Sequence, residues 1–163
     1  MFYRRILKPE PKKPASLRTG IEISDSARIA DILARTIWGE ARGESLSGKE
    51  AIASVILNRV KTAQRHGNDY WWGNSIDTVC LKPKQFSCWN ENDPNYRPLL
   101  AIGPEDPNFA TCLRIAQRGV QGNLNDNTSG ADHYHADTIL PKWALDRTPV
   151  AVIGNHAFYK LEL

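Results

Sequence analysis

The sequence predicts a mainly α (α+β) single domain with small strand or irregular elements. Three observations carry that prediction. At 163 residues the chain is long enough for one sizeable core and short for two. Three segments place apolar residues at helical spacing behind a capping residue. The remaining stretches, 66–105 and the tail from 138 to 158, carry signals only for short turns, strands or helices.

Residues 1–23 read as a basic, proline-rich arm, because "KPEPKKP" favours extended, solvated chain. The domain proper is expected over 24–163. A first helix starts at Ser24 or Ser26, both good N-caps, and runs to about Arg42 with Gly43 as its stop. Its apolar face is Ile29, Ile32, Leu33 and Ile37, with Thr36 beside them. For a second helix, Ser47-Gly48-Lys49-Glu50 reads as a capping box ahead of the stripe Ile52, Val55, Ile56 and Val60, and the end is expected near residue 64. Forty residues of pure loop would be unusual, so 66–105 should hold short helical turns or strands. Asp106-Pro107 signals a third long helix, an N-cap followed by proline at N1, with Phe109, Cys112, Leu113, Ala116 and Val120 as its buried face and Gly119 or Gly122 as its end. The tail with Pro141, Trp143, Val150, Val152 and Ile153 supplies a strand or helix that closes the domain.

Totals exclude several classes. Composition is that of an ordinary globular protein, 41% hydrophobic and 24% charged, and the net charge of +3 is compatible with a polyanionic partner without demanding one. No apolar run approaches a membrane span. MFYRRILKPEPKKP has no apolar segment of the secretory kind before its prolines. Cys80, Cys88 and Cys112 form no CxxC pair; buried thiols are the preferred reading, with one disulfide as the alternative.

The chemistry centres on "RTIWGEARGES", residues 35–45. Ile29, Leu33, Ile37 and Glu40 stand at i, i+4, i+8 and i+11, so at about 100° per residue Glu40 shares the core face of its helix. A buried carboxylate either finds a partner or becomes protonated, and a protonated carboxyl is what general acid catalysis needs. A salt bridge to Arg42, Arg59 or Arg97, or a frayed helix end, is the structural alternative. If the helix continued, Glu44 would lie about 6 Å along the same face, as in a glycosidase pair; Gly43 argues against that continuation.

Tyr70, Trp71, Trp72, Phe86, Trp89 and Tyr96 could stack on sugars or bases, or pack as irregular core. Gln85 and Ser87 around Phe86 form a polar lip with an apolar anchor. His133 and His135, at i and i+2, would face one side of a strand, and with His156 they raise a zinc question that no HExxH-like spacing supports. A Cys88 dyad with His133 or His135 stays open. No metal or other cofactor is expected.

Taken together, "ARTIWGEARGESLSGKEAIASVILNRV", "KPKQFSCWN" and "GADHYHADTILPKWALDRTPVAVIGNHAFYK" resemble the SleB-type cell-wall hydrolases, which include the catalytic domain of spore cortex-lytic enzymes. The resemblance runs from about Ile29 to Lys160. It implies a lysozyme-like fold and a catalytic domain over 24–163. It also implies peptidoglycan as substrate, cut between N-acetylmuramic acid and N-acetylglucosamine, with Glu40 as the catalytic acid. Glu44, Gln85, Phe86, Ser87, Tyr134 and His135 are the residues expected to touch substrate. With one confident carboxylate, a lytic transglycosylase is preferred over a hydrolytic muramidase or glucosaminidase. A single domain without a recognisable signal suggests a phage or prophage endolysin, made in the cytoplasm, released with a holin and acting on the wall as a monomer. No nucleic acid and no stable membrane insertion are expected. The competing readings are a zinc amidase, a non-catalytic wall-binding or virion module, and a nucleic-acid binder using the basic arm.

Overall fold

A computed structural model describes residues 24–161, and the predicted N-terminal arm lies outside the described residues. Five helices come first: α1 (Asp25–Ala41), α2 (Leu46–Arg65), α3 (Ile76–Leu81), α4 (Tyr96–Ala101) and α5 (Pro107–Val120). A small sheet of β1 (His133–Ala136), β2 (Ala151–Ile153) and β3 (His156–Tyr159) follows. Short 3₁₀ turns at Ser87–Trp89 and Lys142–Ala144 complete the chain. The sheet is antiparallel in the order β1-β3-β2, so the last strand lies in the middle.

α1 is the hub and packs against α2, α3, α4 and α5. Ser24 caps it, its side chain accepting from Ala27 N–H at 3.3 Å. Of the stripe read from the sequence, Leu33, Thr36 and Ile37 are fully buried and Ile29 and Ile32 half-buried, and Ala34 is buried beside them. Arg35 pairs with Asp31 at 2.8 Å and donates to the Leu99 and Ile102 carbonyls, tying the C-terminal end of α4 to α1. Helix α5 begins at the predicted cap: Asp106 accepts from Asn108 N–H and Phe109 N–H, both at 2.9 Å. Its buried face turns slightly from the expected one. Ile115 and Gly119 join Phe109, Cys112 and Ala116 as fully buried, with Gly119 close to Leu33 and Leu57, while Leu113 and Val120 are half-buried against the same core. The helix ends at Val120 with Gly122 at φ +75°, so Gly122 and not Gly119 is the stop.

One predicted cap moves, that of α2, whereas the end of α1 does not. α1 ends at Ala41 with Arg42 as its cap, so Gly43 follows directly after the cap as expected, without the positive φ that Gly122 adopts after α5. The Lys49 ammonium, buried at 6% exposure, donates to the Arg42 and Glu44 carbonyls, placing a cation at the negative end of the helix. α2 is capped by Ser45 and not Ser47; Ser45 Oγ accepts from Gly48 N–H at 3.3 Å. Glu50, expected to close a capping box, is 2.7 Å from Arg118 on α5 instead. Among the described residues no helix is long and apolar enough to cross a membrane. All three cysteines are free and buried.

Candidate active site

Glu40 sits in the last turn of α1, where Gly39 makes room for the QFSCW segment. A Cβ on Gly39 would lie 2.6 Å from Cys88 Cβ and 2.8 Å from Cys88 Sγ. The Cys88 thiol therefore rests on α1 beside Glu40. Burial, and next the Glu40 carboxylate, push that thiol far above its ordinary range, so it stays a thiol and is no nucleophile. The dyad with His133 or His135 does not form: His133 Nδ1 lies 2.6 Å from Asp132 Oδ1, and His135 bonds Ala136 O and the Tyr159 hydroxyl.

The partner of Glu40 is none of the three arginines considered above. Tyr134, in the centre of HYH on β1, donates its phenol O–H to Glu40 Oε2 at 2.7 Å. Strand alternation explains the geometry. His133 and His135 face one side of the sheet and Tyr134 the other, toward Phe158 and the helices. Burial, and then the Glu40 carboxylate, hold the Tyr134 phenol well above its usual value, with Arg59 pulling the other way. The phenol is therefore a permanent donor to Glu40 in neutral solution.

Arg59, which sequence reasoning considered only as a salt-bridge partner, braces the site from below. It is 6% exposed, donates to Asp132 O at 2.8 Å and to Gln85 Oε1 at 3.3 Å, and its guanidinium lies over Trp72 and Phe86 at 5.5 and 5.4 Å. Burial lowers its pKa, while Tyr134, Asp132, Cys80 and Glu40 raise it in turn. An arginine between Ile56 and Val60 in the α2 stripe was the available signal for a buried cation. The neighbouring Asn58 donates to Asp126 Oδ2 at 3.1 Å and Ala131 O at 3.0 Å, fixing the polar loop that leads into β1. Asn58 and Arg59 thus dock β1, and Tyr134 with it, onto the helices.

The other predicted contacts separate. Gln85 is half-buried and accepts from Arg59, and Ser87 is exposed. Phe86, expected as an anchor on the lip, is 2% exposed in the core beneath Arg59, so it supports the site and does not line it. His135 stacks on Tyr159 on the far face of the sheet from Tyr134, beside Trp143, a geometry that removes it from Glu40. Glu44 does not share a helical face with Glu40, since α1 has already ended; its side chain is 9% exposed and turned toward the β2–β3 hairpin. Among the described residues no group of three His, Cys, Asp or Glu side chains is placed to hold a metal ion.

Residues 43–159 match the family model described as Cell Wall Hydrolase. The chain belongs to this family. It is 29% identical over 154 residues to the spore cortex-lytic enzyme of Bacillus cereus, covering 93% of this chain and 51% of that protein. It is likewise 29% identical over 130 residues to the spore cortex-lytic enzyme of Bacillus subtilis, covering 78% of this chain and 36% of that protein. The chain thus spans about half or less of these relatives. The crystal structure of the catalytic domain of Bacillus cereus SleB superposes with a TM-score of 0.62 at 26% identity, covering 91% of this chain and all of that one. The catalytic domain of the germination-specific lytic transglycosylase SleB from Bacillus anthracis gives a TM-score of 0.62 at 28% identity, over 84% of this chain and 96% of that one. The mostly helical domain with its three-stranded sheet is the SleB catalytic fold.

Proposed function

We propose that this chain cleaves the peptidoglycan bond between N-acetylmuramic acid and N-acetylglucosamine as a lytic transglycosylase, with Glu40 as its acid and base. The observation that carries the reading is the placement of two carboxylates. Glu40 is held by the Tyr134 phenol at 2.7 Å, whereas Glu44 is engaged by the hairpin. Hydrolysis by either common route uses a second carboxylate, as nucleophile or to activate water. Transglycosylation needs one.

Protonated Glu40 gives its proton to the glycosidic oxygen. The C1–O bond of the muramic acid breaks, and the N-acetylglucosamine leaves with a free 4-hydroxyl. The Glu40 carboxylate then takes the proton of the muramic acid C6 hydroxyl as that oxygen bonds C1. The products are a 1,6-anhydro sugar and a re-protonated Glu40, with no water consumed. Tyr134 fixes one carboxylate oxygen through both steps, which is the pre-organisation such a double proton transfer requires. Kinship to a SleB lytic transglycosylase domain supports the same chemistry.

The test is digestion of purified peptidoglycan by wild type and Glu40→Gln, with the soluble products weighed by mass spectrometry. Anhydro-muropeptides that vanish in the variant are expected. Products heavier by one water would overturn transglycosylation, and free stem peptides would overturn glycosidic cleavage. An endolysin role belongs to this reading: expression inside a bacterium should lyse the cells only when a holin opens the membrane.

A further inference from the structure

Glu44 is enclosed between Gly48 at the start of α2 and the β2–β3 turn. Asn155 N–H faces both of its carboxylate oxygens at 3.4 Å, and His156 Nδ1 lies 3.3 Å from Oε1. Gly154, at φ +57°, turns a bare Cα toward it: a Cβ there would stand 2.0 Å from Glu44 Oε2. The β2–β3 turn is therefore shaped around this carboxylate, with a residue type that both the backbone and the space require.

The contact continues inward. His156 lies on the same side of the sheet as Tyr134, because Ala136 pairs with His156 and Tyr134 with Phe158. The His156 ring meets the Tyr134 ring edge-on, with centroids 5.4 Å apart and planes at 74°. Phe158 supports the Tyr134 ring at 5.9 Å. His156 Nδ1 is sealed from solvent without a well-aligned hydrogen bond, and the Glu44 carboxylate stands in front of it. One line of contacts thus runs Glu44, His156, Tyr134, Glu40.

We infer that Glu44 is a positioning residue that acts through His156 and Tyr134 to orient the Glu40 carboxyl. This rests on the reaction proposed above, in which Glu40 is the acid. A phenol can hold a carboxyl only as firmly as its own ring is held, and His156 is the polar half of the Tyr134 ring's support. Without Glu44, the imidazole loses its charged neighbour and the hairpin loses its keystone, so Tyr134 shifts. A misplacement of about 1 Å at a catalytic group costs up to about a hundredfold in rate, and a fraction of that shift should cost about tenfold.

The experiment measures kcat and KM on solubilised glycan strands for Glu44→Ala, Glu44→Gln, Tyr134→Phe and the Glu44→Ala/Tyr134→Phe pair, with Glu40→Gln alongside. Glu44→Ala should lower kcat about tenfold with KM unchanged and anhydro products retained. Glu44→Gln, which keeps an acceptor for Asn155 N–H, should recover most of that loss. In the Tyr134→Phe background Glu44→Ala should cost almost nothing more, because the line of contacts is already cut. Wild-type kcat in Glu44→Ala, a loss carried by KM, or losses that multiply in the pair would each overturn the inference. So would a Glu44→Gln as dead as Glu40→Gln, which would make Glu44 a reacting group. If Glu44→Ala does not fold by circular dichroism, His156→Ala takes its place in the same cycle. Activity surviving in Glu40→Gln would overturn the reaction itself. Inactive Glu40→Gln with fully active Glu44→Ala would overturn this inference alone.

Discussion

Replacing Gly39 by alanine sets two effects of opposite sign against each other. Gly39 lies inside α1, where alanine is favoured over glycine by about 1 kcal/mol of helix propensity. Propensity alone therefore says that Gly39→Ala stabilises. The packing says the reverse. The new methyl would stand 2.6 Å from Cys88 Cβ, 2.8 Å from Cys88 Sγ and 3.2 Å from Leu99 Cδ1. Ordinary carbon contacts lie at about 3.5–4.0 Å, so the Cys88 segment must retreat by about 1 Å. Overpacking of this kind costs about 1–3 kcal/mol, leaving a net destabilisation of about 1 kcal/mol. In a 163-residue chain that is a fall of about 2–4 °C in Tm, readable by urea or thermal unfolding. Cys88→Gly removes the obstructing Cβ, whereas Cys88→Ala keeps it. Gly39→Ala should therefore couple favourably with Cys88→Gly by about 1 kcal/mol, and less with Cys88→Ala. A Gly39→Ala protein more stable than wild type, or no coupling in the Cys88→Gly pair, would refute the packing argument.

Lys49→Met should cost about 2–3 kcal/mol in urea unfolding, because it strips a buried ammonium from the Arg42 and Glu44 carbonyls; a change below about 0.5 kcal/mol would show that water replaces it. Asp106→Ala should cost about 1 kcal/mol from the lost α5 cap and leave kcat unchanged. Stability should fall above pH 9. Burial raises Cys80 from 9.0 to about 12 and Cys112 from 9.0 to about 11, so between those values the unfolded chain releases protons that the folded one keeps. The loss is about 1.4 kcal/mol per pH unit for each thiol, and a Cys80→Ala/Cys112→Ala variant should show a shallower fall from pH 9 to 11 in urea midpoints.

Local physics was legible in the sequence and distant contacts were not. The start of α5 is written entirely in Asp106-Pro107, and the buried stripe of α1 in Leu33 and Ile37. The α2 cap was misplaced because Ser45 and Ser47 are equally good locally. What decides between them is Glu50 reaching Arg118 and Lys49 reaching the end of α1, both tertiary contacts. Glu40 stood out because a charge on an apolar stripe is a local anomaly. Its partner Tyr134 was expected as a substrate contact and not as the group that holds Glu40, although alternation along HYH already separates Tyr134 from its flanking histidines. Phe86 was placed on the surface by its polar neighbours, whereas the Arg59 guanidinium above it draws the ring inward.

The Glu40–Tyr134 bond joins residues 94 positions apart. Closing so long a loop costs entropy before any contact repays it, so this pairing belongs among the late events of folding. During synthesis the helix bearing Glu40 emerges well before the strand that steadies it. A partly made chain, or one cut short before residue 134, has Glu40 without the phenol that holds it. If Glu40 works as proposed above, cleavage of wall glycan is thereby deferred until nearly the whole domain exists, and a prematurely terminated copy is expected to be innocuous to the cell that makes it.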